Sequence, residues 1–291
     1  MQADRPLRIV QAAAFPYPTA QGSQVFVRGM ARGLAQRGHE VTVVCYAHGD
    51  GQKDQGYEVR RTFGIPGYNN LRAGPDWVKP ILDMALVERI ASIEADVVHA
   101  HNYEAAIAAL LAKRITGIPV VYNAHNTMGE ELPTYFRSRS MRSVASHFGS
   151  WLDKKVPRLA DHAVVLNPSA IETLTGLGCD AVSCVVPGVD PSDFDQVSPA
   201  PLDGQRWVVY AGNPDQYQDL DVLIEAMRMI PDVGLVLVSA SSLRDWEHSG
   251  LDRLRCIQTS DFGEVKGWIS ACEVAALPRA VCSGFPIKLL N

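Results

Sequence analysis

The chain has 291 residues, which at about 100–200 residues per domain is enough for two. Its 27 Lys and Arg stand against 32 Asp and Glu, a net charge of −5, which argues against a surface built wholly to grip nucleic acid. Hydrophobic residues at 47% and charged ones at 20% describe an ordered core, and no apolar run approaches the roughly 18–20 residues of a membrane-spanning helix. The opening MQADRPLRIVQAAAF lacks a long apolar leader run, so no signal peptide is expected. Six scattered cysteines (Cys45, Cys179, Cys184, Cys256, Cys272, Cys282) show no C-x-x-C spacing, so the expectation is reduced thiols in a cytoplasmic protein without a zinc site.

Leu7 to Ala14 is an apolar run of strand length, followed by the loop FPYPTAQG. Ser23 is the expected N-cap of a helix on which Phe26, Met30 and Leu34 recur at helical spacing. Gly38 ends that helix, and Val41 to Tyr46 forms the next strand, which makes a βαβ unit and predicts a doubly wound parallel sheet. Val59 to Phe63 reads as a strand, Ile81 to Ile93 as a helix, and Asp96 to Ala100 as a strand running into His101 and Asn102. Ala105 to Lys113 is an alanine-rich helix, and Pro119 to Ala124 a strand ending at His125 and Asn126. A long helix around Ser140 to Leu159, the strand His162 to Leu166 and a helix from Pro168 complete the first series. The run PGVDPSDFDQVSPAPLDGQ is rich in proline and aspartate without a period, which predicts a first domain over 1–190, a linker over 191–204 and a second domain over 205–291. Strands at Trp207 to Ala211, Val233 to Ser239, Cys256 to Thr259 and Val274 to Leu277 alternate with helices at Leu220 to Met227 and Val265 to Cys272. A last helix begins at Pro286, so the second domain reads as incomplete and the chain as a fragment.

In open parallel sheets ligands sit at the C-terminal ends of strands. The loop before Ser23, with Gly22, offers backbone N–H groups to an anion or to hydroxyls, although the same segment also reads as an ordinary turn. His101 and His125 each end a strand and are each followed by Asn, a pattern that suggests a shared polar cleft. His99 lies inside its strand and reads as a satisfied core residue. Near the C-terminus, Arg279 and Lys288 flank a strand–glycine–helix turn that suits a phosphate or serves only as a solvated turn. The G-x-G-x-x-G fingerprint is missing, which disfavours a dehydrogenase.

These segments together resemble a glycosyltransferase of family 4, with the GT-B fold of two facing Rossmann-like α/β domains. The resemblance is carried by FPYPTAQGSQVFVRGMARGLAQRGHEVTVV, DVVHAHN, PVVYNAHN, LADHAVVLNPSAIETL, PGVD, WVVYAGNPDQYQDLDVLIEA and CEVAALPRAVCSGFPIKLLN. It implies a retaining, metal-independent transfer of a sugar from a nucleotide donor to a glycan, glycolipid or small-molecule acceptor, with no cofactor. By this resemblance His125 matches the histidine that faces the transferred sugar, Gly22 and Ser23 are expected near the donor phosphate and acceptor, and His101, Asn102 and Asn126 are expected to line the same cleft. In the family's donor domain an arginine follows the strand-end glycine, here Gly212, and a lysine comes some residues later; this chain has Asn213 and Gln218. Two family glutamates with seven residues between them correspond to Ser283 and Asn291, while Gly284, Phe285 and Pro286 keep their places. Losing two cations from a diphosphate site removes charge-assisted bonds worth roughly 1.5–3 kcal/mol each, partly offset by Arg279 and Lys288. A divergent enzyme, a catalytically silent binding subunit and a sugar-nucleotide epimerase are the readings this leaves. Finally, 137–158 carries Arg137, Arg139, Arg142, Lys154, Lys155 and Arg158 with Phe136, Phe148 and Trp151 interleaved. Such a helix rests on an anionic membrane at the inner face, or is a solvated face whose aromatics pack inward.

Overall fold

The computed structural model describes residues 5–18, 22–47, 49, 56–66, 68, 76–214 and 218–279. The chain divides into two compact units, with the break between Pro187 and Gly188.

The first unit is built on a parallel sheet of seven strands: β1 (Arg8–Pro16), β2 (Glu40–Tyr46), β3 (Glu58–Arg61), β4 (Val97–His101), β5 (Val120–Ala124), β6 (His162–Val165) and β7 (Val182–Cys184). Their spatial order is β3-β2-β1-β4-β5-β6-β7, so the order reverses between β1 and β4. Helices α1 (Gly22–Gln36), α2 (Lys79–Ala91), α3 (Asn102–Thr116), α5 (Arg139–Leu159) and α6 (Pro168–Gly176) provide the crossovers, with a short α4 (Met128–Glu131) and a 3-10 turn (Leu132–Tyr135) after β5. Both faces of the central strands are covered, which is why β1 and β2 read as continuous apolar runs. One face packs Val10, Ala12, Val44 and Tyr46 against α2 and α3, whose Ala105, Ala108, Ala109 and Ala112 let the helix approach closely. The other face packs Ala13, Val41, Val43 and Cys45 beneath Val27 and Ala31 of α1. The buried stripe of α1 is thus turned by about one residue from the expected Phe26–Met30–Leu34 line, and Phe26 is half-buried at its edge.

The second unit repeats the plan in a sheet ordered β10-β9-β8-β11, from β8 (Trp207–Ala211), β9 (Gly234–Ser239), β10 (Leu254–Gln258) and β11 (Val274–Ala275). Helices α7 (Leu220–Arg228), α8 (Arg244–Glu247) and α9 (Phe262–Ser270) flank it. Leu220, Leu223, Ile224 and Met227 of α7 pack on Tyr210, Leu235 and Leu237, and Trp268 of α9 packs on Val209, Val236 and Val238.

Three expectations change. The expected linker 191–204 falls inside the second unit, which starts at Gly188, and its second half is tied down there: Ala200 N–H donates to the Gly267 carbonyl at 2.9 Å and the Trp207 indole donates to Asp203 at 2.8 Å. A strand, β7, appears where the sequence shows only three suitable residues, because its neighbour β6 supplies the pairing. On α5, Phe148 and Trp151 do not pack inward; they stack on each other at 5.8 Å and stay 53% and 52% exposed.

Candidate functional site: a buried imidazole pair

The reversal of strand order between β1 and β4 places the start of α1 and the end of β4 side by side at the sheet's C-terminal edge. The helix begins at Gly22, two residues before the Gln24 start that an N-cap at Ser23 would give, so Ser23 lies in its first turn and is not its N-cap. In that position its own N–H is one of the helix's unpaired donors, which serves ligand binding as well as a cap would. His101 is both the last residue of β4 and the residue preceding α3. The chain turns from strand to helix in one step, and Asn102 adopts φ +65°, a left-handed conformation that asparagine tolerates better than most side chains.

Parallel register does the rest. Gln11 pairs with His99, Ala13 with His101, and His101 with Asn123, so Gln11, His99, His101 and Asn123 share the α1 face of the sheet. His125 follows β5 directly. His101 Nδ1 lies 3.2 Å from His125 Nε2, and His101 Nε2 meets Gln11 Oε1. Phe26 of α1 stands edge-on to both rings, at 5.9 Å from His101 and 5.0 Å from His125. Gln11, His101 and Asn123 are fully buried and His125 nearly so. Burial opposes a second proton on each ring: it pushes His99 down to about 4, and burial with the neighbouring His99 pushes His125 down to about 3. His101 is held well below its ordinary value by burial, then by His99 and His125. At neutral pH the three rings are therefore uncharged donors and acceptors, suited to hydroxyl groups.

His99 is not the satisfied core residue expected. Its Nε2 is buried without a partner, because Gln11 beside it spends its oxygen on His101. Gln11 Nε2 and both amide atoms of Asn123 are likewise buried and unpaired. Gln11 and Asn123 escaped the sequence reading, although a polar residue inside LRIVQAAA or PVVYNA was the available signal. Asn126 is drawn away from the pair, its amide donating to Glu131 at 2.8 Å.

In the second unit Gly212 follows β8 at φ +149°. The Asn213 carbonyl accepts from the Tyr210 hydroxyl at 2.7 Å, and its side-chain oxygen accepts from Ser241 at 3.4 Å. Gln218 is buried just before α7, and Arg279 is half-buried beyond β11, so both lie at the C-terminal edge of that sheet. Ser283, Gly284, Phe285, Pro286, Lys288 and Asn291 lie outside the described residues. Among the described residues no group of three or more His, Cys, Asp or Glu is placed to hold a metal ion, and no helix is long and apolar enough to cross a membrane.

The fold is shared with sucrose-phosphate synthase from Thermosynechococcus elongatus, at a TM-score of 0.79 and 15% identity over 98% of this chain and 78% of that one. It is also similar to the catalytic domain of starch synthase IV from Arabidopsis thaliana bound to ADP and acarbose, at 0.70 and 12% over 98% and 81%. Anabaena HepE in complex with UDP and glucose matches at 0.66 and 17% over 96% and 76%. These proteins have the GT-B arrangement of two Rossmann-like domains, the fold class expected from the sequence. No curated protein matches the chain. The model of Glycosyltransferase Family 4 matches residues 20–193, more than half of the sequence, and the chain belongs to that family of enzymes.

Proposed function

We propose that this glycosyltransferase moves a sugar from a nucleotide-sugar donor to a glycan, lipid-linked or small-molecule acceptor, with retention of configuration and without a metal or other cofactor. The observation that carries the reading is the neutral imidazole pair buried at the strand ends of the first sheet, in a chain of this family. When the bond from sugar to phosphate breaks, positive charge develops on the sugar and negative charge on the departing diphosphate. An uncharged His125 binds the sugar's hydroxyls without opposing that positive charge. Gly22, Ser23 and Asn102 line the acceptor and donor cleft in this reading, while His101 stands behind His125 with both ring nitrogens engaged and Asn126 is held by Glu131. Gly212, Asn213, Gln218 and Arg279 serve the diphosphate, for which Arg279 supplies the cation and backbone N–H groups supply the rest. Bound UDP with glucose in HepE, and ADP with acarbose in the starch synthase, support this assignment of ligand class.

The test is release of nucleoside diphosphate by the full chain, in the presence of a chelator, across a panel of sugar nucleotides and acceptors. Turnover that depends on the acceptor is the expected result. Turnover of the sugar nucleotide alone would replace the reading with an epimerase, and neither turnover nor binding would leave a silent subunit.

The place of work belongs to the same proposal: the cytoplasmic face of a membrane, in peripheral contact. Met141, Val144, Phe148 and Trp151 form an exposed apolar stripe at helical spacing along α5. Arg137, Arg139, Arg142, Lys154, Lys155 and Arg158 are exposed around it, which suits an interfacial helix on anionic lipid.

A further inference from the structure

The contacts of His101 constrain more than its own position. An amide oxygen only accepts hydrogen bonds, so where His101 Nε2 meets Gln11 Oε1 the ring nitrogen must carry the proton. In a neutral imidazole the other nitrogen is then an acceptor, and His101 Nδ1 is the atom 3.2 Å from His125 Nε2. A lone pair there requires His125 Nε2 to donate. His125 Nε2 therefore holds the proton, and its Nδ1 is left with the lone pair. The three groups are wired in one sense: turning the Gln11 amide over would reverse both rings together.

We propose that Gln11 and His101 are positioning residues that fix the proton of His125 on Nε2, so that His125 presents Nδ1 to its ligand as an acceptor. The use of that acceptor toward a sugar hydroxyl rests on the reading under Proposed function; the wiring itself does not. The surroundings hold the wire in place. All three members are buried, and Phe26 packs edge-on against both rings and keeps water from competing for their nitrogens. A leucine or methionine in place of Gln11 would fill similar space in β1, so packing alone does not call for a glutamine at this position.

The experiment reads the tautomers directly, in full-length protein labelled with nitrogen-15 histidine and without substrate. Long-range proton–nitrogen spectra distinguish a protonated ring nitrogen from an unprotonated one, and the His125 signals are assigned by their loss in His125→Gln. The expected result is a protonated Nε2 and an unprotonated Nδ1 on His125. A proton on Nδ1 in the unmodified protein overturns the proposal, whatever any variant does. In Gln11→Met the acceptor is gone, and His125 is expected to shift toward a mixture of both tautomers. Unchanged His125 signals in folded Gln11→Met, or in His101→Phe should the first fail to fold, overturn it as well. In the transfer assay Gln11→Met is expected to lower kcat/KM by about two- to tenfold, the value of one neutral hydrogen bond. If the tautomer is as stated but no sugar transfer occurs, the wiring stands and the assignment of its ligand falls.

Discussion

Keeping His99, His101 and His125 uncharged inside the first unit makes its stability fall with acid, and His99 allows the effect to be isolated. An unfolded histidine titrates near 6.5, and burial depresses each of these three in the folded chain. Each therefore contributes fully above that value, and below it costs about 1.4 kcal/mol per pH unit until the folded value is reached. For His99, held down to about 4, the loss on going to about pH 5 is about 2 kcal/mol. Asp83, Glu104 and Asp153 work in the opposite sense, since burial pushes them up and they take protons more readily when folded. Comparing His99→Leu with the unmodified protein cancels those carboxylates. The substitution strands no partner, because Nε2 of His99 has none. At about pH 7.5 the variant is expected to match the unmodified protein within about 1 kcal/mol, and at about pH 5 to exceed it by about 2 kcal/mol. Urea unfolding of the full chain, followed by hydrogen exchange of peptides from β4 and β5, measures the difference. An equal difference at both pH values would show that His99 is not kept neutral, and the account of the pair's electrostatics would fail with it.

Gly149→Ala is expected to destabilise the first unit by about 1–3 kcal/mol in urea or thermal unfolding, because a Cβ on α5 would lie 2.2 Å from the Met128 carbonyl of α4. Asn213→Arg restores a cation beside Gly212 and is expected to tighten nucleoside diphosphate binding by about ten- to a hundredfold in calorimetry, from one charge-assisted contact. Unchanged binding there would mean that this edge of the second sheet does not take the diphosphate. Phe148→Asp with Trp151→Asp is expected to abolish co-sedimentation with vesicles containing anionic lipid, while the unmodified protein binds them and releases with added salt.

Buried parallel strands announce themselves as apolar runs, and β4 and β5 lie within a residue of where the sequence puts them. Because both runs end in His-Asn, the imidazole pair is legible in the sequence itself. What could not be read was the third dimension of the same face. Register sets Gln11 beside His99, yet it is His101, two residues further on, that takes the glutamine's oxygen and leaves His99 without a partner. A one-dimensional pattern gives the face on which a side chain lies, but not which of two neighbours wins a single acceptor. The phase of α1 was missed for a related reason. Its apolar residues cover more than one stripe, and packing under the sheet favours Val27 and Ala31 over the larger Phe26. That displacement leaves Phe26 at the rim, against the two rings. The residue that breaks the expected helical stripe is thus one that closes the polar site, and the two departures from the sequence pattern have a common origin. Polar side chains placed on a sheet face otherwise given to the core require a cover that is apolar but does not fill the space they need.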